Sequence, residues 1–97
     1  MKKILITGNR DYGLCQAICN LFDSMDNISY STVSRSNGWA LEKAEEQHRL
    51  AEYFVENKYD IFINNSALWK FHQVMIAEQV YNKCKDAGHS AYLIHMG

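Results

Sequence analysis

Four short segments with strand character alternate along the chain with three longer segments of helical periodicity. The predicted strands are residues 3–7, 28–34, 59–64 and 90–96. The second is rich in β-branched and aromatic residues, and the others are largely apolar. The segments between them repeat apolar side chains at spacings of three and four, and cover residues 13–25, 41–57 and 71–87. Strands that are apolar almost throughout and are separated by helices indicate a parallel sheet covered on both faces. We therefore predict an α/β fold with three layers.

The order of the strands follows from the handedness of their connections. Right-handed crossovers with one reversal of direction give the order 2-1-3-4 for four strands. A chain of 97 residues is long enough for one domain, so residues 1–97 are predicted to form a single unit. Ligands of such sheets bind outside the carboxyl ends of the strands. In the order 2-1-3-4 the expected place is between strands 1 and 3, where the direction in which strands are added reverses.

The loop after the first strand is the first candidate site. Thr7-Gly8 ends the strand, and Gly13 opens the helical pattern. Free backbone N–H groups and a helix dipole at such a turn favour a phosphate group. The alternative is that both glycines serve only a tight turn and a close contact between helix and strand. The predicted cofactor-binding residues of this loop are Gly8, Asn9, Arg10, Tyr12, Gly13 and Leu14.

Two further loops follow strands that end at the same edge of the predicted sheet. After the second strand, Arg35 stands between Ser34 and Ser36, and an arginine flanked by hydroxyl groups suits a ribose 2′-phosphate. We therefore favour NADP over NAD as the cofactor, the alternative being an ordinary solvated arginine. After the third strand comes Asn64-Asn65-Ser66-Ala67, whose amides either tie loops together or border an adenine or ribose pocket. Its predicted cofactor-binding residues are Asn65, Ser66 and Ala67.

Composition excludes several other classes of protein. The formal net charge is −1 with the charges interspersed, which argues against a protein that binds nucleic-acid phosphates. No apolar segment approaches the roughly 20 residues that span a bilayer, and we expect a cytoplasmic protein without a membrane partner. Cys15, Cys19 and Cys84 are predicted to be reduced and to act as small hydrophobic side chains. Neither the cysteines nor the four histidines have zinc-ligand spacing, so no metal site is predicted.

Together these motifs resemble the short-chain dehydrogenase/reductase family, with the whole chain similar to its N-terminal, cofactor-binding half. The segment from Thr7 to Leu14 is similar to the family's glycine-rich signature, and residues 64–67 look like its Asn-Asn-Ala-Gly signature. Residues 93–97 look like the strand that leads to the family's catalytic serine. The resemblance implies a Rossmann-like, NAD(P)-binding domain. It also implies a compact variant, with one helix nearly deleted and a strand reduced to a stub around Trp39–Leu41.

The chain departs from the family pattern at the glycine loop and in the catalytic groups. The loop is one residue longer than usual, Cys15 occupies the place of the third glycine, and Ser66-Ala67 replaces Ala-Gly. The family's reaction needs a serine and a Tyr-x-x-x-Lys pair, which would follow residue 97. Tyr81 and Lys85 have that spacing but precede the last strand, so we predict no catalytic residue.

Three functions remain open from the sequence. The first is a nucleotide-binding module for a dinucleotide or an adenine nucleotide, without catalysis of its own. The second is a structural or protein-interaction module that keeps the fold but not the pocket. The third is an oxidoreductase completed by residues outside this chain. In the family that the chain resembles, the helix after the amide loop often packs against its copy, which implies a homodimer or a partner protein at the helix 71–87.

Overall fold

A four-stranded parallel sheet with helices on both faces makes up the described chain. The computed structural model describes residues 1–65 and 70–96, and for Lys70 only the backbone. The elements in chain order are β1 (Lys2–Thr7), α1 (Gly13–Asp23), β2 (Ile28–Val33), a short 3₁₀ helix (Arg35–Asn37), α2 (Ala44–Glu56), β3 (Ile61–Asn64), α3 (Lys70–Ala87) and β4 (Tyr92–His95). The strand order is β2-β1-β3-β4 and every pair is parallel. Both the α/β class and the predicted order are confirmed.

Helices α2 and α3 cover one face of the sheet and enclose the larger core. Leu5 of β1 and Phe62 of β3 pack there against Leu50 and Phe54 of α2, and α3 contributes Val80. The predicted inward side chains of α2 were Leu50, Tyr53 and Phe54. Leu50 and Phe54 are fully buried, and Tyr53 is half-buried against the same cluster.

Helix α1 covers the other face of the sheet. Cys15 and Cys19 are buried against the isoleucines of β1 and β3, which confirms that these free cysteines act as small hydrophobic residues. The periodicity predicted an apolar face of Leu14, Ile18, Leu21, Phe22 and Met25. Ile18 and Phe22 pack against this cluster as predicted. The prediction is wrong for Leu14, Leu21 and Met25, which are exposed. The small cysteines let α1 approach the sheet closely, and the leucines then lie on a flank of the helix.

The exposed flank of α1 lies on the side of the helix that is away from β2. The Asp23 carboxylate accepts a hydrogen bond from the Tyr30 hydroxyl of β2, so the flank of α1 near Asp23 lies over β2. At 100° per residue, Leu14 and Leu21 lie on the opposite flank. In the part of the chain that the structure describes, α1 is the one helix on this face, and Tyr92 and Ile94 of β4 are exposed.

Helix α3 buries part of its predicted stripe, which was Val74, Ala77, Val80, Tyr81, Cys84 and Ala87. Val80 and Cys84 are buried as predicted, and Ile76 is buried beside them, whereas Val74 and Tyr81 are exposed. The predicted inward position Ala87 is exposed as well. Apolar residues occupy two flanks of this helix, so spacing alone does not identify the buried one.

No strand forms where a stub was expected around Trp39–Leu41; residues 39–43 make turns between the 3₁₀ helix and α2. Trp39 packs there against the ring of Tyr53, with ring centroids 5.4 Å apart. The Arg49 guanidinium lies 3.9 Å from the Trp39 ring centroid, a cation–π contact. Packing of one large aromatic side chain therefore holds this connection in place of strand pairing.

Candidate functional site

The carboxyl ends of β1, β2 and β3 meet at one edge of the sheet. The Gly8 N–H donates to the Val33 carbonyl oxygen at 2.9 Å, which joins the loops after β1 and β2. The Asn65 N–H donates to Thr7 Oγ1 at 2.8 Å, which joins the loops after β1 and β3. The segments after Ile6 and after Ile63, which were predicted to border a crevice, therefore lie next to each other at this edge.

A buried polar network around Asn64 holds this edge together. Thr7 Oγ1 donates to Asn64 Oδ1 at 3.0 Å, and Asn64 Nδ2 donates to the Gln73 carbonyl oxygen at 2.8 Å. The same amide nitrogen lies 3.3 Å from His95 Nδ1. Asn64 thereby connects β1, α3 and β4, and its amide serves structure. From the sequence, Thr7 was noted only as the end of the first strand and Gln73 was not mentioned, because their roles in this network depend on contacts between distant elements.

Gly8 is the tightest point of the glycine loop. Its φ is +137°, and a Cβ there would lie 3.2 Å from the Asn65 carbonyl oxygen and 3.2 Å from Cys15 Cβ. Gly13 has φ +56° with open space around it, so glycine is favoured at this position only by the backbone conformation. Cys15, in the place of the family's third glycine, fills the space beneath Gly8.

The N-terminus of α1 offers backbone donors to this loop. Tyr12 occupies the N-cap and makes no side-chain capping bond, and the first turn of α1 contains no acidic residue. The Asn9 side chain instead accepts the Asp11 N–H at 2.9 Å, which shapes the loop before the helix. The uncapped N–H groups and the helix dipole favour an anion at this point.

Arg10 points away from this edge of the sheet. Its guanidinium donates to Asp23 at 2.8 Å and to the Tyr30 hydroxyl at 2.9 Å, on the outer flank of α1 and β2. The other predicted residues of the loop that carry large side chains, Tyr12 and Leu14, are exposed.

The loop after β2 presents its arginine to solvent. The Arg35 side chain is 79% exposed and pairs with Glu42 at 3.2 Å. The Ser34 and Ser36 hydroxyl oxygens are 2.7 Å apart and hydrogen-bonded to each other. Asn37 Oδ1 accepts the Ser34 N–H at 2.7 Å, which fixes the turn. A phosphate group on this loop would replace Glu42 as the partner of Arg35.

Two predicted site residues, Ser66 and Ala67, lie outside the described residues. Within residues 1–65 and 70–96, no group of three or more histidine, cysteine, aspartate or glutamate side chains is placed to hold a metal ion. Among the helices of this part of the chain, none is long and apolar enough to cross a membrane.

Comparisons of the chain with protein-family models, with curated proteins and with solved structures gave no match.

Replacing Gly8 with alanine should lower the free energy of unfolding by about 2–3 kcal/mol, because a side chain is strained at this φ and crowds the Asn65 carbonyl. The matched change is Gly13→Ala, where only the left-handed backbone conformation opposes the substitution, at about 1 kcal/mol. Urea denaturation of both variants measures the difference. Equal losses would show that the contact of Gly8 with Asn65 and Cys15 is not tight.

The three cysteines should resist alkylation in the folded protein. Burial, with a contribution from Cys19, raises the pKa of the Cys15 thiol to about 11, and burial also raises the pKa of Cys84. Because the thiolate is the reactive form, iodoacetamide at pH 8 should modify none of them, and all three after unfolding in guanidinium. Mass spectrometry counts the adducts. Rapid modification of the native protein would contradict the buried positions.

Proposed function

We propose that the chain is a nucleotide-binding module that takes a dinucleotide, NADP in preference to NAD, at the carboxyl edge of β1, β2 and β3. The observation that carries the proposal is that the ends of these three strands bring Gly8, Ser34 and Asn65 to one edge. The diphosphate would lie at the uncapped N-terminus of α1, and Arg35 would hold the 2′-phosphate. We expect the protein to work in the cytoplasm.

The residues of the chain fit the cofactor in part. The glycine loop supplies close backbone approach and free donors, whereas Glu42 competes for Arg35. NADP supplies hydride chemistry when it is bound, but this chain's residues serve only to bind and orient it. Tyr81 and Lys85 lie on α3 about 16 and 22 Å along the helix from its N-terminus, far from the carboxyl ends of the strands. We therefore propose binding without catalysis by these residues.

A thermal shift with NADPH, NADH, ATP and ADP-ribose tests the proposal. A ligand at ten times its dissociation constant stabilises the folded state by about 1.4 kcal/mol, which raises Tm by roughly 5–10 °C in a domain of this size. We expect the largest shift with NADPH. An unchanged Tm with all four at millimolar concentration would end the nucleotide proposal.

Arg35→Asp should reverse the preference between the two dinucleotides. The aspartate repels a 2′-phosphate and accepts hydrogen bonds from a free ribose, so NADPH should bind at least about tenfold more weakly. Glu42→Gln should strengthen NADPH binding, because it frees Arg35. Lys2→Asp is the matched charge change, since Lys2 begins β1 at the opposite end of the sheet. Equal effects of the Arg35 and Lys2 variants would reduce Arg35 to a general surface charge.

A second candidate function, protein interaction, is favoured by the exposed apolar residues of α3. Phe71, Val74 and Tyr81 are each at least half exposed on this helix. Scattered apolar residues are ordinary on protein surfaces, whereas a row along one helix is typical of a contact surface. We propose this contact as the alternative if no nucleotide binds.

A further inference from the structure

We infer that two copies of the chain associate through strand β4, pairing antiparallel about a two-fold axis to give a continuous eight-stranded sheet. This inference is independent of nucleotide binding. The binding partner that we propose for the β4 edge is a second copy of the chain. It follows from the outward backbone groups of β4, from the absence of charged residues in residues 87–97, and from the exposed apolar side chains of β4 and α3.

The outer backbone groups of β4 are available for pairing. The Tyr92 and Met96 N–H groups donate to β3 carbonyl oxygens of Asp60 and Asn64, at 2.9 and 3.0 Å. Because alternate residues of a strand point their N–H and C=O groups to opposite sides, those of Ala91, Leu93 and His95 point outward. In the described residues, no neighbouring strand covers this side of β4.

The sequence around β4 lacks the residues that normally protect an edge. Residues 87–97 contain no lysine, arginine, aspartate, glutamate or proline, so two copies of this strand do not repel each other. The opposite edge is different. On β2, Asn37 Nδ2 donates to the Thr32 carbonyl oxygen at 2.8 Å, and this covers an outward backbone group with the chain's own side chain.

A two-fold axis through Leu93 makes the strand complementary to itself. Leu93 would exchange two hydrogen bonds with the partner's Leu93, and Ala91 would pair with the partner's His95. The same register places Tyr92, which is 74% exposed, opposite the partner's Ile94. An aromatic side chain opposite a β-branched one is a favourable cross-strand pair.

The exposed flank of α3 lies on the same side of the molecule. A right-handed connection from β3 to β4 places α3 over these two strands, with α2 on the side of β1. The flank of α3 that carries His72, Gln79 and Lys83 is half-buried. The flank with Val74 and Tyr81 is exposed and therefore faces away from α2, toward the outer edge of β4.

Strand pairing would bring this flank against its copy. Strands lie about 4.8 Å apart, so two helices that each cover β3 and β4 would have axes about 10 Å apart across the paired edge. That distance is the normal separation of packed helices. One arrangement thus covers the β4 edge and the Val74–Tyr81 flank together.

The buried area is adequate for a reversible dimer. At 55% and 74% exposure, Tyr81 and Tyr92 together offer on the order of 250 Å² in each copy. That is about a third of the roughly 800 Å² that each partner buries in an interface of standard size. Further buried area would come from the edge backbone of β4 and from Leu93, Ile94 and Val74.

Sedimentation velocity from about 1 μM to 1 mM tests the dimer. We expect a mass that rises with concentration from 11.2 kDa toward twice that value. Tyr81→Lys should weaken the dimer at least tenfold while leaving the circular dichroism spectrum unchanged. Leu21→Lys, at an equally exposed position of α1, is the matched control and should have no effect.

Crosslinking tests the register. In an added mild oxidant, Leu93→Cys should form a covalent dimer, because paired residues on the axis have Cα atoms about 5.5 Å apart, within disulfide reach. Ser31→Cys, in the middle of β2, should not crosslink. A monomer at every concentration, a dimer weakened by Leu21→Lys in place of Tyr81→Lys, or crosslinking through Ser31→Cys alone would each overturn the inference. None of these results depends on added NADPH.

Discussion

Replacing Phe54 with alanine is expected to lower the free energy of unfolding by about 3–5 kcal/mol, a large part of the stability of a domain this size. Phe54 is fully buried, and its ring centroid lies 5.7 Å from those of both Tyr59 and Phe62. The His89 ring packs against it edge-on at 5.9 Å. The substitution thus leaves a cavity lined by rings that cannot all move inward.

Urea denaturation followed by circular dichroism measures this loss. Leu21→Ala is the matched control, because Leu21 is a large apolar residue with most of its side chain in solvent, and its loss should stay within about 0.5 kcal/mol. Similar losses in the two variants would mean that the cluster around Phe54 is not the centre of the core.

Asn64→Leu is expected to cost about 2–4 kcal/mol. The substitution keeps the side chain's approximate size but leaves the Thr7 hydroxyl and the Gln73 carbonyl without the amide that they bond, in a buried setting. Thr7→Val should cost about 1–3 kcal/mol, because the Asn65 N–H then loses its acceptor.

The double variant separates this network from two independent effects. If Thr7 and Asn64 act together, combining Asn64→Leu with Thr7→Val should cost less than the sum of the single changes, by at least about 0.5 kcal/mol. Additive losses in urea denaturation would contradict the network and would leave each residue with a local role.

The sequence predicted the strands and their order because both depend on local patterns. Short strand segments separated by helices, together with right-handed connections, determine a parallel sheet whatever the details of packing. The buried faces of α1 and α3 were harder to predict, because leucine, valine and tyrosine occupy more than one flank. Cys15 and Ile76 are buried because of where the sheet lies beneath them, and spacing along the helix carries no information on that.

For the candidate site too, the positions of the loops were predictable and the contacts of individual side chains were not. That the loops after β1, β2 and β3 converge is a consequence of parallel strands, so their positions were predictable. The partners of individual side chains were not. Arg10 contacts Asp23 and Tyr30, and Asn64 contacts His95, and each contact joins elements that only the fold brings together. The NADP preference and the roles of Ser66 and Ala67 stay predictions.

The amino end of β1 gives experimenters a convenient handle. Met1 is 86% exposed, and the six residues of β1 separate it from the carboxyl end of that strand by about 20 Å. An affinity tag or a fluorophore attached there is remote from the strand ends that would contact a nucleotide. Immobilised or labelled protein can therefore be titrated with dinucleotides without obstruction by the attachment.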